Sequence, residues 1–169
     1  MTKSEYERLI FDRFMEAVGL VPDRDSVHQG EDPDVRCRIQ GVPHGFELTA
    51  ATDAEIEKGV RQDQVFSGFA GVDVVSAAAR KVERGFRYDI PVDLIIHEAT
   101  MPLPPPERWR DQLAGYLSCS WSQSGFGRLW VVNPWPTECP QDRRLFEWPP
   151  GSAEVPPLPL AGEGWGEGG

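Results

Sequence analysis

Asp34 and Glu47 are the side chains whose type and spacing carry the clearest chemical consequence. Val35, Cys37 and Ile39 alternate with Arg36 and Arg38, and Phe46, Leu48 and Ala50 alternate with Gly45, Glu47 and Thr49. Both runs have the period of two expected of a strand, and Gln40-Gly41 between them is a turn signal. If that turn has two residues, Ile39 pairs with Val42, and pairing outward sets Asp34 opposite Glu47. Their Cβ atoms then lie about 5 Å apart. Pro43 cannot donate a ladder hydrogen bond, so a four-residue loop is the alternative. It would face Asp34 with Thr49 and keep Glu47 close on the same side. Two facing carboxylates repel unless a divalent cation binds both, Arg36 or Arg38 neutralises them, or one takes up a proton.

Glu7 adds a third carboxylate. At 100° per residue, Tyr6, Ile10, Phe11, Phe14, Ala17 and Val18 cover one face of a helix predicted over residues 4 to 19. Glu7 falls inside that arc, whereas Glu5, Asp12 and Glu16 fall on the polar side. A carboxylate on a packed face calls for a partner, a proton or a metal. Its local alternative is a capping box, with Ser4 as N-cap and Glu7 three residues on.

Other familiar chemistries are missing. Cys37, Cys119 and Cys139 have neither the number nor the spacing of a disulfide framework or a zinc site. His97-Glu98 is not followed by the second histidine of a metalloprotease helix, and no phosphate loop or nucleophile elbow is present. Ser118 to Ser124 reads as a loop.

These residues need a frame. At 169 residues, 40% of them hydrophobic, the chain supports one globular domain with an ordinary core. After the helix comes a turn-rich segment from Pro22 to Pro33, then the hairpin. Helical patterns follow over residues 53 to 66 and 73 to 86, and a buried strand over Val92 to Ile96. A Pro-rich connection leads to a helix over residues 107 to 117, with Trp109, Leu113, Tyr116 and Leu117 inward. Leu129 to Val132 is a second buried strand, and Leu145 to Trp148 an edge strand. The expectation is an α/β domain over residues 1–148, a small mixed central sheet flanked by helices. The Pro- and Gly-rich remainder, residues 149–169, reads as a disordered tail.

With these residues placed, the sequence resembles the PD-(D/E)XK superfamily, the restriction-endonuclease-like nucleases. Glu7 stands on the helix, Pro33-Asp34 supplies the Pro-Asp, and Glu47-Leu48-Thr49 supplies the last element, over roughly residues 4 to 97. Similar Glu-x-Thr variants occur in small bacterial proteins of this type. The resemblance implies a restriction-endonuclease-like core and a site binding Mg²⁺ or Mn²⁺. Asp34 and Glu47 would be direct ligands, and Glu7 a ligand through water or an orienting group. The position of the family's lysine is held by Thr49, whose hydroxyl can orient a water but carries no charge. Lys58, Arg80 and Lys81 are the basic residues that could take its place, and Lys81 is included in the predicted catalytic set.

Two functions are therefore weighed. One is a metal-dependent phosphodiesterase acting on nucleic acid, DNA before RNA. The other is a catalytically inactive member of the same fold serving as a binding or regulatory module, favoured by Thr49 and by the net charge of −10. That charge argues against a broad basic nucleic-acid surface. The polar N-terminus and the lack of a long apolar run predict a cytoplasmic protein with no membrane partner.

Overall fold

The computed structural model describes residues 1–51, 73–99, 102–135 and 137–150. The helix predicted over residues 53 to 66, Lys58 within it, and all but two residues of the predicted tail lie outside them. The elements are α1 (Lys3–Val18), β1 (His28–Gln29), β2 (Val35–Ile39), β3 (Val42–Ala50), α2 (Val74–Val82), β4 (Val92–His97), α3 (Arg110–Ser120), β5 (Leu129–Val132) and β6 (Arg144–Trp148). Among the described residues the strands form one six-stranded sheet in sequence order. β2 and β3 are antiparallel, β3, β4 and β5 parallel, and β6 closes the edge antiparallel. This is the mixed α/β layering expected, with helices on both faces of the sheet.

Alternation along the strands divides the core in two. Phe46, Leu48, Ile95 and Trp130 pack with Ile10, Phe11 and Phe14 of α1 on one face. Leu94, Ile96, Leu129 and Val131 pack on the other against Val74, Ala78 and Val82 of α2 and Leu113 and Leu117 of α3. Central parallel strands covered on both sides read as continuous apolar runs, which is why VDLII and LWVV were legible as buried strands.

Three local assignments change. The N-cap of α1 is Thr2, not Ser4. Thr2 Oγ1 accepts from Glu5 N at 3.2 Å, and Glu5 Oε2 accepts from Thr2 N at 2.6 Å. The capping box is thus Thr2/Glu5, and Glu7 is released from that role. Ser4 lies inside the helix and its hydroxyl donates to Gln29 Oε1 at 2.8 Å. Second, the turn-rich segment contains β1, which pairs with Val35 and Arg36. Third, Ser118 to Ser120 continue α3, because Leu117 is buried at its inner face, and a 3-10 turn follows over Trp121–Gln123.

The hairpin turn has two residues. Ile39 pairs with Val42 and Val35 with Phe46, so the next position outward sets Asp34 beside Glu47. Gln40 and Gly41 both have positive φ, 53° and 80°, as a type I′ turn requires. The Asp23 carboxylate clamps this conformation, accepting from Gln40 N at 2.9 Å and Gly41 N at 2.7 Å. Asp23→Ala is expected to lower stability by about 1–2 kcal/mol, the range for charge-assisted bonds with solvent access. A urea midpoint unchanged from wild type would show that the turn holds its register without Asp23.

Candidate functional site

The sheet brings together what the sequence had spaced apart. Glu47 and Thr49 point from β3 to the face that α2 covers. Lys81, in the last turn of α2, reaches Glu47, its Nζ lying 2.5 Å from Glu47 Oε1. Both partners are largely withdrawn from water, with side chains 17% and 7% exposed for Lys81 and Glu47. Lys81, one of the basic residues considered as a replacement for the missing strand lysine, thus meets the carboxylate. Arg36 and Arg38 do not neutralise the pair. They sit outward of Asp34 on the exposed side of β2, and Arg36 pairs with Asp89 at 3.4 Å.

Asp34 is buried, and its Oδ2 accepts from Leu48 N at 2.7 Å. This bond ties the end of β2 to β3 and holds the Asp34 carboxylate next to Glu47. Gly45 allows the approach: a Cβ there would stand 2.7 Å from Pro33 Cγ, so the missing side chain lets the Pro33-Asp34 corner settle on the sheet. Glu47 Oε2 is buried and has no hydrogen-bond partner.

Glu7 faces the same cleft from α1, its side chain 15% exposed and paired with Lys3 at 3.1 Å. The cleft has a volume of about 490 Å³, and Lys3, Glu7, Asp34, Thr49, Lys81 and His97 line it. His97 was not anticipated as a lining residue. It arrives because β4 runs parallel to β3 and pairs His97 with Ala50, and only that pairing reveals it. Its Nδ1 lies 2.8 Å from Glu98 O, the Tyr6 ring packs edge-on at 5.7 Å, and burial lowers its pKa. A second cleft, of about 500 Å³, lies beside β1 and β2. Of its charges, Asp23 is engaged on the turn, Arg24 pairs with Asp25, and Arg36 with Asp89.

The charges act on one another. Burial pushes the Asp34 carboxyl up to about 6, the negative charges of Glu47 and Glu7 add to the rise, and the Leu48 N–H and Lys81 oppose it. Lys3 is raised above the usual amine range, chiefly by Glu7, with Asp34 and Glu47 contributing. Among the described residues, no three His, Cys, Asp or Glu side chains are gathered closely enough to hold a metal ion as they stand. Asp34 and Glu47 adjoin. Glu7 joins them across the cleft, held back on Lys3.

A pH dependence follows. The folded pKa of Asp34, about 6, lies above its ordinary 3.8, so the folded state binds this proton more tightly than the unfolded chain does. Its contribution is full below about pH 4 and is lost as pH rises towards and through 6. Allowing for partial solvent screening, the decline is about 2 kcal/mol. In metal-free buffer, Asp34→Asn is expected to flatten the stability profile between pH 4 and 6. An unchanged slope in the variant would assign the dependence to other groups.

The fit to a cation is testable on the same atoms. The donors are carboxylate oxygens, which suit a hard divalent ion, and one of them is buried without a partner. Mg²⁺ commonly uses one or two carboxylates and completes its shell with water and substrate phosphate. Asp34 and Glu47 are two neighbouring carboxylates of that kind. No family model matches the chain, and no curated protein or solved structure is significantly similar to it.

Proposed function

We propose that the chain is a metal-dependent phosphodiesterase acting on nucleic acid, DNA in the first instance, built on a restriction-endonuclease-like core. The observation that carries this reading is the orphaned, buried Glu47 Oε2 beside Asp34, with Lys81 on the other Glu47 oxygen. The order of helix, hairpin, helix and strand, with Glu7 and Asp34 lining one cleft and Glu47 beside Asp34, supports the same family resemblance.

In this reading Asp34 and Glu47 hold Mg²⁺ or Mn²⁺. When bound, the ion supplies Lewis acidity towards phosphate and makes an attacking water available at neutral pH. Lys81 does the work of the family's lysine from a different element. Its ammonium stands beside the carboxylate pair, where it can oppose the negative charge that develops on phosphate. Thr49, two residues beyond Glu47 on the same strand face, offers a hydroxyl to orient the incoming water. Glu7 completes the site through water, once Lys3 releases it.

Incubating the purified chain with plasmid DNA and with RNA, in Mg²⁺ or Mn²⁺ and across a salt series, is expected to give cleavage that EDTA stops. No cleavage of either polymer under any of these conditions would overturn the proposal. The two lysine–carboxylate pairs favour the second reading, a non-cleaving binding module, because they already neutralise much of the cluster without a metal. That reading fails if metal-dependent cleavage appears and Asp34→Ala removes it.

A further inference from the structure

His97 lines the cleft but takes no part in the reading above. Its place is fixed by the sheet. Backbone pairing sets it between Ala50 on β3 and Val132 on β5, and its carbonyl accepts from Ala51 N at 2.9 Å. Tyr6 packs edge-on against the ring, and the residue is only 4% exposed.

One ring nitrogen is engaged and the other is not. Nδ1 lies 2.8 Å from the Glu98 carbonyl oxygen, which can only accept, so Nδ1 carries the hydrogen. Glu98 is itself anchored, its N–H donating to Val132 O at 3.2 Å and its carboxylate accepting from Leu103 N at 2.8 Å. Burial lowers the His97 pKa, so near pH 7 the ring is uncharged and Nε2 presents a bare lone pair. Among the described residues nothing donates to Nε2. Unlike the orphaned Glu47 Oε2, it is not sealed from solvent, so it opens on the cleft. An imidazole tied through one nitrogen to a backbone carbonyl, with the other left open, is oriented to accept from whatever enters there.

The lone pair selects its ligand. A phosphodiester oxygen bears no hydrogen and would be repelled by it. The ammonium groups on the cleft, Lys3 and Lys81, are held on Glu7 and Glu47. A divalent cation that keeps part of its water shell presents polarised O–H donors instead. We propose that His97 is a positioning residue of the cation site, its Nε2 accepting a hydrogen bond from a water held by Mg²⁺ or Mn²⁺. The inference rests on the phosphodiesterase reading above.

Mn²⁺ calorimetry on wild type, His97→Phe and His97→Gln tests it, with urea unfolding to show that each variant is folded. His97→Phe keeps a ring beside Tyr6 and removes the lone pair. Its Mn²⁺ affinity is expected to fall about tenfold, the smaller of the effects seen when groups around a metal's ligands are removed. His97→Gln carries an amide oxygen that can accept in place of Nε2 and should recover most of that loss. A packing role would not give this rescue, because glutamine lacks the ring that Tyr6 contacts. Wild type with isotope-labelled histidine gives a readout that stands even if His97→Phe fails to fold. Saturating Mg²⁺ should leave Nδ1 protonated and move the Nε2 resonance upfield, as an accepted hydrogen bond does. Unchanged Mn²⁺ affinity in folded His97→Phe, a loss that His97→Gln does not recover, or an unmoved Nε2 resonance would each overturn the inference. All three leave the phosphodiesterase reading intact if wild type binds Mn²⁺ and cleaves DNA. A wild type that neither binds Mn²⁺ nor cleaves overturns that reading, and this inference with it.

Discussion

Replacing Glu47 with alanine is expected to abolish the proposed metal-dependent cleavage, by about a thousandfold or more. Glu47 supplies the oxygen that is buried without a partner and also holds Lys81 at the cleft. Losing a carboxylate that binds a catalytic cation removes several kcal/mol of transition-state charge stabilisation. At 1.36 kcal/mol per factor of ten, about 4 kcal/mol corresponds to that rate effect. The same change leaves the Lys81 ammonium in a mostly buried position without its carboxylate, so stability should fall by about 1–3 kcal/mol as well. Glu47→Gln separates the two effects. The amide oxygen can still accept from Lys81 and preserve much of the stability, while the charge needed for a divalent ion is gone. Single-turnover cleavage, Mn²⁺ calorimetry and urea unfolding on both variants give the comparison. Full cleavage by Glu47→Gln would remove Glu47 from the proposed metal site.

Gly125→Ala is expected to be the most damaging small substitution. Gly125 has φ of +79°, and a Cβ built there would stand 1.8 Å from the Phe86 carbonyl oxygen and 2.8 Å from its carbon. The clash is with backbone, so no rotamer change can relieve it. A left-handed conformation costs an alanine about 1–2 kcal/mol, and backbone displacement adds to that. A total loss of about 3–5 kcal/mol places this variant among the severe mechanisms. The displaced segment carries Phe86, whose ring centroid lies 5.9 Å from the Lys81 ammonium, so the platform beneath Lys81 should shift too. Urea unfolding reads the stability. A loss under about 1 kcal/mol would mean that the Phe86 segment yields easily and is not a rigid support for the site.

The two halves of the site differ in how much of them the sequence could disclose. The Asp34–Glu47 neighbourhood follows from local rules. Two alternating runs and a two-residue turn leave few registers, and Asp23 holds the one in which Ile39 meets Val42. The buried face of α1 follows from its period, as Ile10, Phe11 and Phe14 confirm by their complete burial. The cap of that helix was ambiguous for a physical reason. Thr2-x-x-Glu5 and Ser4-x-x-Glu7 have the same capping spacing, and a local pattern that occurs twice cannot choose between its copies. The choice fell to tertiary contacts: Ser4 bonds Gln29, and Glu7 turns to the cleft.

By itself, then, the sequence determined the order of the described elements apart from β1 and brought Asp34 to Glu47, because both depend on short-range periodicity and turn geometry. Which cation answers those carboxylates was decided only by the tertiary structure. Lys81 lies 34 positions from Glu47 and reaches it because α2 packs over the face of β3 and β4. His97 enters through parallel pairing. No spacing along the chain encodes these placements. They depend on how the helices and the β4 strand pack around the hairpin, a long-range property of the whole core.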